Sequence, residues 1–104
     1  MYRVFNSDRN GNGFSEATKI AVWKKGRAIP GQNPALKRMD ACGAIIEWYQ
    51  YGVTTHHGTG WEIDHMTPVA ANGSDDLWNL QPLQWQNNRS KGDGPLSCAV
   101  AAAR

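Results

Sequence analysis

The sequence predicts an α+β domain built around a strand, turn, strand and helix between about residues 60 and 93. Three observations carry this. Gly60 to Asp64 is apolar, β-branched and aromatic enough for a strand, and Pro68 bends the chain away from it. Asn72-Gly73 is a tight-turn signal. Leu80 to Gln84 suits a second strand, and Trp85 to about Lys91 a helix.

The 104 residues are taken as one domain, long enough to bury a core without staples. With 40% hydrophobic and 19% charged residues the composition is that of a globular chain rather than a disordered one. No apolar run approaches the ~20 residues of a membrane span. The opening MYRVFNSDRNGNG lacks the apolar core of a secretory signal, so the expectation is a soluble, cytoplasmic protein, with delivery as a secreted toxin left open. Cys42 and Cys98 are in no CxxC pair and are expected to stay reduced.

Along the chain, Asp8-Arg9-Asn10-Gly11-Asn12-Gly13 imitates the start of a calcium loop. Its twelfth position is Lys19, a cation where a bidentate Glu is needed, so the string is expected to form a turn. Ser15 can cap a helix running to about Lys25, with Glu16 in its first turn and Gly26 as its stop. Ile20, Trp23 and Ala17 would be its buried stripe. Pro30-Gly31 and Pro34 mark a connection, Asp40 to Gly43 a turn, and residues 44–49 a strand. Residues 52–60 are a loop. Trp48, Trp61, Leu77, Trp78, Leu80, Leu83 and Trp85 are available for the core.

Net charge is +2, but it is unevenly spread. Residues 1–40 hold eight Lys/Arg against three acids, and residues 41–104 hold three against six. A basic half beside an acidic centre suits a polyanion held next to a bound cation.

The acidic centre has chemistry to match. Strand alternation puts Glu62 and Asp64 on one face and His65 on the other. The turn towards Pro68 would let His65 swing to a site shared with Asp64. Asp64 and Asn88 offer hard oxygen ligands, which suit Mg²⁺ or Mn²⁺. His65 suits a proton acceptor near neutral pH. Arg89 and Lys91 stand close enough in sequence to grip phosphates, with Lys24, Lys25, Lys37 and Arg38 as further contacts. Glu62 reads as a surface residue, with an acid supporting the site from behind as the alternative, and Asp75 and Asp76 read as solvated loop acids. A Zn²⁺ or Ni²⁺ site using His56, His57 and the cysteines is the competing metal reading, but its spacing fits no common framework.

Asp64-His65-Met66-Thr67-Pro68, then Asn79-Leu80-Gln81-Pro82-Leu83, then Asn88-Arg89-Ser90-Lys91 resembles the HNH endonuclease motif. Val22-Trp23, Ile29-Pro30-Gly31, Asp40-Ala41-Cys42-Gly43 and Gly60 to His65 are also similar to segments of small bacterial HNH proteins. The resemblance implies a ββα-metal (His-Me finger) core with an N-terminal helix and strand extension. It implies His65 as general base, Asp64 and Asn88 as ligands of one divalent ion, and Asn79 as the residue that holds His65. The expected substrate is double-stranded DNA, nicked once per centre, so a double-strand break would call for a homodimer or successive nicks. A nuclease acting on RNA and a non-catalytic nucleic-acid-binding module are the alternatives.

Overall fold

A computed structural model describes residues 4–101, which leaves Arg3 and Arg104 of the charge count outside the described residues. Helix α1 spans Glu16–Trp23; the Ser15 side chain accepts from Thr18 N, and Lys24 closes the other end. Strands β1 (Arg27–Ala28), β2 (Lys37–Met39) and β3 (Ile45–Glu47) form an antiparallel sheet in that order. A separate antiparallel hairpin pairs β4 (Trp61–His65) with β5 (Leu80–Gln84), in a register running from Trp61↔Gln84 to His65↔Leu80. Helix α2, Trp85–Lys91, follows β5 directly, with the Gln84 side chain accepting from Gln86 N and Asn87 N.

The hairpin and α2 lie where composition places them, and Asp8 to Gly13 is a turn closed by the Asp8 carboxylate, which accepts from Asn10 N and Asn12 N. The N-terminal half differs in two ways. β1 and β2 were not expected, because two or three residues of mixed polarity carry no period. The strand expected at 44–49 is only Ile45–Glu47; Trp48–Gln50 winds into a 3₁₀ turn.

The core is Val22, Trp23, Ile46, Trp61, Ile63 and Leu80, with Phe14, Trp48 and Tyr51 packed against it. Trp23, Trp48, Trp61 and Tyr51 meet with ring centroids 4.8 to 6.0 Å apart, in tilted or edge-on arrangements that suit the ring quadrupoles. Burial holds the Tyr51 hydroxyl above the usual tyrosine range, and that hydroxyl donates to Asn6 Oδ1 at 3.0 Å. Leu77 and Trp78 are not core residues, being 46% and 68% exposed. They sit on a 3₁₀ turn, Leu77–Asn79, whose buried position belongs to Asn79. In α1, Val22 rather than Ile20 faces inward.

The expectation of reduced cysteines fails. Cys42 and Cys98 form a disulfide with their Cα atoms 5.7 Å apart, joining the Asp40–Gly43 turn to the C-terminal tail. The same tail is held by Asn87, which donates to Val100 O and accepts from Val100 N. The buried Asp40 carboxylate gathers these parts. It accepts from Cys42 N and Ala44 N through one oxygen, and from Gln84 N and Asn87 Nδ2 through the other. Four hydrogen bonds leave a buried charge well compensated.

Gly60 is where the loop enters β4. A Cβ there would lie 1.7 Å from Val53 O, a backbone atom that cannot yield cheaply. Gly60→Ala is therefore expected to cost about 3 kcal/mol or more by displacing the 53–60 loop. A urea melt followed by Trp fluorescence reads it, and a midpoint equal to the wild type would contradict the packing described.

Candidate active site

All five residues of β4 are buried, and alternation divides their work. Glu62 and Asp64 face α2. Asp64 Oδ2 accepts from Gln81 Nε2 at 2.9 Å, and Lys91 Nζ lies 3.3 Å from its Oδ1. The same ammonium donates to His65 O at 3.0 Å, so Lys91 ties the last turn of α2 to the end of the strand. Glu62 is 3% exposed, not a surface residue. Its carboxylate accepts from Asn88 Nδ2 at 2.9 Å and from the Arg89 fork at 3.2 and 2.9 Å. Arg89 also lies over the rings of Phe5, at 4.5 Å, and Trp85, at 5.8 Å.

His65 leaves the other face. β4 keeps its register through His65↔Leu80, the last pair before the chain turns towards Pro68. It is fully buried, tilted against Phe14 at 6.0 Å, and its Nε2 lies 2.7 Å from Asp75 Oδ1. Asp75 is thus no idle loop acid. Both its oxygens accept from Arg9 N, at 3.1 and 3.3 Å, and Arg9 Nη2 reaches Asn72 Oδ1.

Asn79 braces the segment between. Its Oδ1 accepts from Thr67 N at 2.7 Å, and its Nδ2 donates to Thr67 O and Ser74 O. Its main-chain oxygen accepts from Met66 N. The chain returns at Asn72, φ 67°, and Gly73, where a Cβ would meet Thr67 O at 1.7 Å. These bonds set where Asp75 stands relative to His65.

Asn88, Arg89 and Lys91 thus meet Glu62 and Asp64 where α2 packs on β4, while His65 and Asn79 stand at the turn end of the hairpin. The further basic residues are scattered and partly committed. Lys25 Nζ donates to Leu80 O, and to Leu77 O at 2.7 Å; burial lowers its pKa below the ordinary lysine value. Arg38 donates to Pro34, Lys24 and Gly26 carbonyls, tying α1 to β2. Lys37 lies 3.8 Å from Glu47, and Lys24 is exposed. Composition missed Glu62, Asp75, Gln81 and Asp40. For Glu62 a signal existed, since it shares Asp64's face opposite the cations of α2.

Among the described residues no group of three His, Cys, Asp or Glu is placed to hold a metal ion, and both cysteines are spent on the disulfide. The Asp64 carboxylate and the Asn88 amide are hard oxygen donors. That donor chemistry fits a hydrated hard cation, which takes one or two protein oxygens and keeps several waters.

The family profile for HNH endonucleases matches residues 41–94, and the chain belongs to the HNH endonuclease family. No curated protein and no solved structure matched the chain. No helix among the described residues is long and apolar enough to cross a membrane.

Proposed function

We propose that this chain is a metal-dependent endonuclease with a ββα-metal core that hydrolyses DNA phosphodiester bonds. The observation that carries the reading is the end of β4, where a buried imidazole with a carboxylate partner adjoins a buried carboxylate, in a member of the HNH family. Asp64 and Asn88 are the residues that would hold the ion, Mg²⁺ or Mn²⁺. Such an ion, when bound, supplies charge relief at the phosphate and at the departing 3′ oxygen.

The chain's own groups do the rest. His65 takes the proton from the attacking water. Asp75 keeps the ring in one orientation and stabilises the imidazolium that forms, as a carboxylate does behind any catalytic histidine. Asn79 holds the loop that carries Asp75. Lys91 balances Asp64 and fixes the helix against the strand. Arg89, about two-fifths exposed, and Lys24 and Lys37 are the cations placed to meet phosphates.

An end-labelled duplex oligonucleotide tests this. With Mg²⁺ the expected products carry a 5′ phosphate and a 3′ hydroxyl, and the nicked strand precedes any double-strand break. Cleavage of an RNA duplex alone, or of neither, would overturn the DNA assignment. Asp75→Asn keeps the shape but weakens the hold on His65, and should slow cleavage about tenfold to a hundredfold, the usual effect of losing such an orienting partner. An unchanged single-turnover rate would remove Asp75 from the mechanism.

A further inference from the structure

A groove of about 480 Å³ lies on the side of α1 away from His65, between the end of that helix, the 33–36 turn and the 3₁₀ turn after β3. Its walls combine two kinds of side chain. Ile20, Leu36 and Tyr49 are large apolar or aromatic groups left 39%, 43% and 79% exposed, with Trp23 at the base. Lys24 and Arg38 line the same groove. Tyr49 takes no part in the ring contacts that join Trp23, Trp48, Trp61 and Tyr51 among the described residues.

The walls are preformed. Trp23 Nε1 and Arg38 Nε both donate to Pro34 O, at 3.0 and 2.9 Å. The Asn33 side chain accepts from Ala35 N, and Trp48 N donates to Leu36 O. A groove already held in shape needs little ordering when a ligand enters.

We propose that this groove binds single-stranded nucleic acid, with a base stacked on Tyr49 and the backbone following Lys24 and Arg38. An exposed aromatic ring between cations matches a chain of alternating π-faces and phosphates. A duplex keeps its base faces inside and could use only the cations. An apolar peptide would leave the cations without partners. The opposite side of α1, through Ala17, Thr18 and Ala21, lines a hollow shared with Asp75, the partner of His65. The inference rests on the nucleic-acid reading above but not on cleavage.

Fluorescence anisotropy of the full chain in EDTA tests it, using labelled oligo(dT) and oligo(U) of about a dozen nucleotides and a duplex of equal length. Oligo(dT) is expected to bind more tightly than the duplex. Tyr49→Ala should weaken it about tenfold, equivalent to ~1.4 kcal/mol, while Tyr49→Phe binds as the wild type and duplex affinity does not move. Oligo(U) bound with the same Tyr49 dependence also supports the groove and shows that the sugar is not read. Equal affinity of Tyr49→Ala and wild type for oligo(dT), equal losses on duplex and single strand, or no single-strand binding would overturn the proposal. Tyr49-dependent binding without cleavage in Mg²⁺ would sink the nuclease reading and leave the groove standing.

Discussion

His65→Ala is expected to lower the single-turnover rate of DNA cleavage by about 10²–10⁴-fold, the usual contribution of a positioned general base. The size follows from where His65 sits. The ring is fully buried, and Asp75 holds its Nε2 at 2.7 Å, so little ordering remains for the step itself. Substrate affinity should change far less, because no cation in reach of phosphate is removed. The ring also packs on Phe14, so the variant's melting temperature must be read beside the rate. A folded His65→Ala protein that cleaves at the wild-type rate would remove His65 from the chemistry and return the base to water.

Cys98→Ser carries the largest expected effect on stability. The disulfide spans 56 positions, and chain-entropy bookkeeping for such a loop gives about 4 kcal/mol. Most of the chain lies within the closed loop, including α2 and both strands of the hairpin. The tail keeps its two hydrogen bonds to Asn87 in the serine variant, so α2 should not unravel at once. Urea unfolding of wild type, wild type with a dithiol reductant, and Cys98→Ser is the measurement. The reduced protein and the variant should unfold together, well below the oxidised protein. Coincident curves for all three would show that the bond contributes nothing.

The reading of β4, β5 and α2 succeeds because their signals are local. Alternation, Asn72-Gly73 and the polar Trp85–Lys91 segment each speak within a few residues. Asp64, His65 and Asn88 could be singled out for the same reason, since Asp64 and His65 are neighbours and Asn88 sits on the element after β5. What was not legible depends on distance. Cys42 meets Cys98, and Arg9 reaches Asp75, only because the whole chain folds. Asp75 looks like any loop acid until Asn79 has pinned the loop. Glu62 and Arg89 are 27 residues apart, and only the packing of α2 on β4 makes one the buried counterion of the other. β1 and β2 owe their pairing to the connection at 30–34 rather than to any pattern of their own. Lys25 and Arg38, expected to meet phosphates, also give several donors to main-chain carbonyls, a task that only the folded chain reveals.

A metal-dependent nuclease centre at the end of β4, as proposed, must cut DNA only when a divalent ion is supplied. Supercoiled plasmid incubated with the protein and, in separate reactions, Mg²⁺, Mn²⁺, Zn²⁺ or Ca²⁺, with EDTA as control, tests it most directly. Conversion to open circles is expected with Mg²⁺ or Mn²⁺, arrested by EDTA and by Asp64→Ala. Plasmid left supercoiled with every ion, or cut equally well in EDTA, would contradict it.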